Sequence, residues 1–104
     1  MKLKFSKSEI GNPIVFIRRC GYGEYYDRRL QKVSYMKRAR IQDMFPRFHV
    51  YIKEHGEEIV FDLHLDQKRP SYEGASMHAG EYEGGAVERE AQWIESLASK
   101  TSKV

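Results

Sequence analysis

The sequence predicts an α+β domain: an antiparallel meander of about four strands with a C-terminal helix packed on one face. Three observations carry that prediction. The stretch FHVYIKEHGEEIVFDLHLD (residues 48–66) alternates apolar and polar residues on both sides of a glycine, as a half-buried hairpin does. Val87, Ala91, Ile94 and Ala98 follow the i, i+4, i+7, i+11 spacing of one helix face. The length of 104 residues suits one domain with one modest core. Residues 1–100 are therefore expected to form that domain, with 101–104 a frayed tail.

Taken in order, KLKF (residues 2–5) alternates Lys with apolar residues and gives a weak strand signal. GNP (11–13) signals a turn. PIVFIR (13–18) is rich in β-branched and aromatic residues and reads as a strand, which GYG (21–23) breaks. Residues 24–44 admit two readings. As a helix, Leu30, Val33, Ile41 and Met44 share a face that Lys37 interrupts; as a strand, KVSYMKR (32–38) presents Val33 and Tyr35. The strand is preferred, because Pro46 then leads directly into its neighbour.

In the 47–66 hairpin, His55 and Gly56 are placed at the centre of a two-residue turn. Ile52 then faces Ile59, Val50 faces Phe61, His49 faces Asp62 and Phe48 faces Leu63. Glu54 opposite Glu57 counts against this register, since like charges repel across a ladder. Residues 67–83 show no period, and a segment that long often signals a functional loop. Residues 85–99 read as the helix, with Glu88 and Glu90 near its start and Lys100 past its end, as its dipole favours.

Charge is unevenly placed. Residues 18–40 hold eight Arg and Lys against Glu24 and Asp27, whereas 41–104 hold seven basic and twelve acidic side chains. Such a distribution steers an anionic partner or mediates self-association. No apolar run is long enough to span a membrane, and no apolar stretch follows the N-terminus as in a secretory signal. Cys20 is the only cysteine, so no internal disulfide forms; a cytoplasmic protein is expected.

Two groups of residues bear chemistry. RRCGYGEYYDRRLQKVSYMKR (18–38) interleaves cations with tyrosines. Cations neutralise phosphates and aromatic rings stack on unpaired bases. The candidates for nucleic-acid contact are Arg18, Arg19, Arg28, Arg29, Lys37, Arg38, Tyr25 and Tyr35, with Tyr51 and His49 on the sheet as a stacking platform. No named RNA- or DNA-binding motif is present. The second group is histidines and aspartates on the polar side of the hairpin. His49, Asp62, His64 and Asp66, joined by His78 from the loop, have the residue types of general acid–base catalysis. Asp62 would orient His49, or Asp66 would orient His64; Ser71, Tyr72, Glu81, Lys68 and Arg69 lie in the loop beside them. The same imidazoles and carboxylates suit a divalent metal, but no compact zinc signature accompanies them, so no metal or cofactor is assigned. The bland alternative is a polar cross-strand pair worth less than about 1 kcal/mol.

The runs PRFHVYI, LHLDQKRPSYEG and HAGEYEG resemble those of a small uncharacterised bacterial family of short single-domain proteins, over residues 13 to about 97. That resemblance implies a cytoplasmic single domain and carries over no functional residue. The leading expectation is a non-enzymatic binding protein whose partner is RNA or single-stranded DNA. The alternatives are a small hydrolase-like enzyme using the His/Asp group, and a protein that self-associates as a homodimer.

Overall fold

The computed structural model describes residues 1–67 and 85–102. Strands β1 (Lys2–Ser6), β2 (Gly23–Asp27), β3 (Lys32–Arg38), β4 (Arg47–His55) and β5 (Glu58–Asp66) form one antiparallel sheet in the order β1-β5-β4-β3-β2. Helices α1 (Lys7–Ile10) and α2 (Pro13–Arg19) lie between β1 and β2, and α3 (Ala86–Ser102) closes the described chain. The predicted α+β class, with its meander and C-terminal helix, is what the structure has. The sheet holds five strands: β2 to β5 form the meander, and β1 returns to flank β5.

The segment 13–18 is a helix, not the predicted strand. Asn12 caps it, its Oδ1 accepting from the backbone N–H groups of Ile14 and Val15, and Pro13 occupies the first turn where no donor is lost. Pro13, Phe16, Ile17 and Cys20 fall at helical spacing and are buried, while Ile14 and Val15 face solvent. A cap, a first-turn proline and a 3.6-residue face together outweigh the β-propensity of the branched residues. The strand that precedes β3 is instead GEYYD. KVSYMKR forms β3 as predicted.

The hairpin register also differs. Gly56 and Glu57 form the turn, His55 pairs with Glu58, and each residue of β4 meets a partner two positions further along β5 than expected. Val50 thus faces Leu63, Ile52 faces Phe61, His49 faces His64 and Tyr51 faces Asp62. Gly56 takes a positive φ of 62° at the first turn position, where a side chain would be strained. The shift removes the Glu54–Glu57 clash; Glu57 instead accepts from the backbone N–H groups of Lys7 and Ser8, at its carbonyl and its carboxylate. Because the displacement is an even number, every side chain keeps its predicted face.

One face of the sheet carries the core. Phe48, Val50, Ile59, Phe61 and Leu63 are buried there with Leu3 and Phe5 of β1. Phe5, Phe16 and Phe61 form a ring cluster with centroids 5.4–6.0 Å apart. Helix α3 presents Ala86, Ala91, Ile94 and Ala98 to this surface, flanked by the partly buried Val87 and Leu97. It runs through Ser102, further than predicted. A polar clip ties α3 to β3: Glu90 accepts from Tyr22 Oη at 2.7 Å and pairs with Lys37 Nζ at 2.6 Å. Lys37 also donates to the Cys20 carbonyl and lies 4.1 Å from the centroid of the Trp93 ring. Among the described residues, the opposite face of the sheet carries no helix.

Candidate nucleic-acid interface

Side chains alternate along each strand, so the uncovered face is read directly from the register. It receives Lys2 and Lys4 from β1, Tyr25 and Asp27 from β2, and Lys32, Ser34, Met36 and Arg38 from β3. From β4 and β5 come Arg47, His49, Tyr51, Lys53, Val60, Asp62, His64 and Asp66. Lys2, Lys4, Lys32, Arg38 and Lys53 are all exposed.

Four rings form a continuous row across this face. Tyr25 meets His49 edge-on at 6.2 Å, His49 stacks on Tyr51 at 5.3 Å with planes 20° apart, and Tyr51 meets His64 edge-on at 6.2 Å. Cations border the row: Lys32 Nζ lies 5.5 Å from the Tyr51 centroid, and the Arg47 guanidinium lies 5.8 Å from that of Tyr25. Arg47 also stacks on Phe45, 4.3 Å from its centroid.

Each histidine of the row lies beside its own aspartate. His64 Nε2 lies 3.3 Å from Asp62 and His49 Nδ1 lies 3.7 Å from Asp66. These pairings exchange the predicted ones, in which Asp62 held His49 and Asp66 held His64. The two-residue register shift is the cause: it places Asp66 diagonally beside His49 and leaves Asp62 next to His64 on the same strand. His49 Nε2 is 2.7 Å from Ser34 Oγ. A neutral ring carrying its proton on Nδ1, toward Asp66, accepts at Nε2 from the Ser34 hydroxyl. Burial pushes the pKa of His49 below its ordinary value, against the upward pull of Asp66. His49 and His64 are paired across β4 and β5, and the Tyr51 ring touches both imidazoles. Among the described residues no three His, Cys, Asp or Glu side chains are grouped to hold a metal ion. His78 and its companions Lys68, Arg69, Ser71, Tyr72 and Glu81 lie outside the described residues.

The residues singled out from the basic segment divide between the two sides of the sheet. Tyr25 and Arg38 are on the uncovered face, and Arg28 and Arg29 occupy the β2–β3 turn beside it. Arg18 and Arg19 end α2 on the helical side, where Arg18 pairs with Glu24 at 3.4 Å. Lys37 is committed to Glu90 on that same side. Tyr35 is buried at 5% exposure, opposite Val50, and offers no ring to a surface ligand. Tyr35, Lys37, Arg18 and Arg19 therefore do not join the Tyr25–His49–Tyr51 surface. Strand pairing decides this: Tyr25 and Tyr35 differ in facing because Tyr25 is registered with Ser34 and Glu24 with Tyr35. Phe45, which no periodicity marks, and Lys2, Lys4 and Lys32, signalled only by their alternation with apolar residues, join this surface without having been expected there.

Among the described residues, no helix is long and apolar enough to cross a membrane. Comparison with family models, with curated proteins and with solved structures returns no match.

Proposed function

We propose that this protein binds single-stranded nucleic acid, RNA or single-stranded DNA, across the uncovered face of its sheet. The observation that carries this reading is the row Tyr25–His49–Tyr51–His64 bordered by Lys32 and Arg47. Flat rings on a sheet accept unpaired bases, and flanking cations hold the phosphates between them. Lys2, Lys4, Arg38 and Lys53 extend the positive surface to either side, while Asp62 and Asp66 are engaged by the histidines. A duplex would not fit this purpose, because its bases are already stacked and its edges lie in grooves that a flat ring row does not enter. The lone buried thiol, Cys20, suits work in the cytoplasm.

Fluorescence anisotropy with mixed-sequence single strands and the matching duplex tests the proposal. Four phosphate contacts would give a slope of about −3 in log K against log salt. Replacing Tyr51 with Ala should weaken binding roughly tenfold or more, the worth of one stacked base. The absence of binding to any single strand at low salt, or equal binding by Y51A, would refute it.

A further inference from the structure

At the β2 edge of the sheet, the ring row ends in a cleft of about 550 Å³. Tyr25, Phe45 and Arg47 form one part of its wall, and Asp27, Arg28 and Arg29 of the β2–β3 turn form another. Asp66 and Tyr26 also line it, and Asp66 is already paired with Arg47 and His49. The Asp27 carboxylate is likewise engaged, accepting from the backbone N–H groups of Arg29 and Leu30. No ion pair holds Arg28 or Arg29 among the described residues, and both are exposed. Arg47 is preset: its guanidinium is stacked on Phe45, and its Nε is buried without a hydrogen-bond partner.

From this geometry we infer that the cleft binds a phosphate monoester, the phosphorylated end of the strand lying on the sheet. The inference rests on the nucleic-acid reading above and adds a preference for strand ends. Two arguments lead to it. First, β2 is an edge strand among the described residues, so the described ring row ends at Tyr25 and a nucleic-acid strand following it terminates there. Second, Arg28, Arg29 and Arg47 all line one cleft: Arg47 holds Asp66, 3.7 Å away, and Arg28 and Arg29 have no ion pair among the described residues. A phosphodiester carries one negative charge, whereas a monoester carries about −1.5 to −2 at neutral pH. Guanidinium forks match the several oxygens of such a group. The Tyr25 ring flanks the place where the terminal nucleoside would sit.

The test compares one oligonucleotide in three forms: with a 5′-phosphate, with a 3′-phosphate, and with hydroxyls at both ends. One phosphorylated form should bind about tenfold more tightly than the hydroxyl form, the effect of a charge-assisted contact. Which of the two does so identifies the polarity of the strand. In the R28A/R29A variant, altered only at exposed turn positions, the preference should fall to within twofold. Equal affinity for all three forms, or a preference that survives in R28A/R29A, would overturn the inference while leaving the sheet-face reading standing. Should no oligonucleotide bind at all, the sheet-face reading fails by itself. The cleft is then judged by titrating adenosine monophosphate against adenosine. Saturable binding of the monophosphate alone, lost in R28A/R29A, sustains the phosphate site, and the absence of such binding ends it.

Discussion

Replacing Glu90 with Ala removes the common partner of two groups on the helical side of the sheet. Tyr22 Oη donates to Glu90 at 2.7 Å and is buried, and Lys37 Nζ lies 2.6 Å from the same carboxylate. The side chains of Lys37 and Glu90 are only 23% and 11% exposed. Losing a hydrogen bond to a charged acceptor costs about 1.5–3 kcal/mol. Breaking a fully buried ion pair costs about 3–5 kcal/mol. Here the ammonium keeps the Cys20 carbonyl, the Trp93 ring and some solvent, which holds the ion-pair loss to the lower part of that range. Because one carboxylate serves both partners, the two losses overlap rather than add, and a destabilisation of about 3–4 kcal/mol is expected, a large share of the ~5–15 kcal/mol typical of a domain. Urea denaturation followed by tryptophan fluorescence measures it, because Trp93 sits against the Lys37 ammonium. Lys37→Met in the E90A background should recover about 1–2 kcal/mol relative to additivity, because no ammonium is then stranded. A cost below about 1 kcal/mol for E90A, or additivity within about 0.5 kcal/mol, would show that this clip does not hold α3 on the sheet.

Three further outcomes follow from the same structure. Asn12→Ala should destabilise the protein by about 1 kcal/mol, read as a lower urea midpoint with unchanged slope, since α2 loses its cap. Cys20 has no exposed surface, and burial pushes its thiol up to about 11, so an alkylating reagent at pH 8 should label it only as fast as the protein unfolds. For His49, burial holds the folded-state pKa below the ordinary 6.5. The unfolded chain then takes up the proton first as pH falls, and stability contributed by the neutral ring is lost progressively below pH 6.5. His49→Gln should flatten that part of the stability–pH profile, and an unchanged profile would contradict the burial argument.

What the sequence made legible depended on the range of the cause. The two-residue alternation of 48–66 is local and survives any even shift in register. The alternation therefore puts Phe48, Phe61 and Leu63 in the core and His49, Tyr51 and His64 on the outer face, whether the turn is centred on His55-Gly56 or on Gly56-Glu57. Partners across the ladder depend on the exact register, so the expected His49–Asp62 pair gives way to His49–Asp66. Helix α2 departs from the β-propensity of PIVFIR because punctuation outweighs composition there: Asn12 and Pro13 mark a helix start, and Phe16, Ile17 and Cys20 supply the buried face. The basic segment shows the limit most clearly. Its tyrosines and arginines are adjacent in sequence, yet Tyr25 and Tyr35 end on opposite sides of the sheet. Phe45 reaches Arg47 from a connection without regular structure, where no pattern announces it.

The central claim is that the helix-free face of the sheet is the binding surface. Chemical-shift mapping of isotopically labelled protein, titrated with a short single-stranded oligonucleotide at low salt, tests it most directly. The account predicts that the largest shifts fall on Tyr25, Lys32, His49, Tyr51 and His64 and fade as salt is added. Shifts confined to the helical side, around Arg18, Arg19 and Trp93, or no shifts at all, would contradict it.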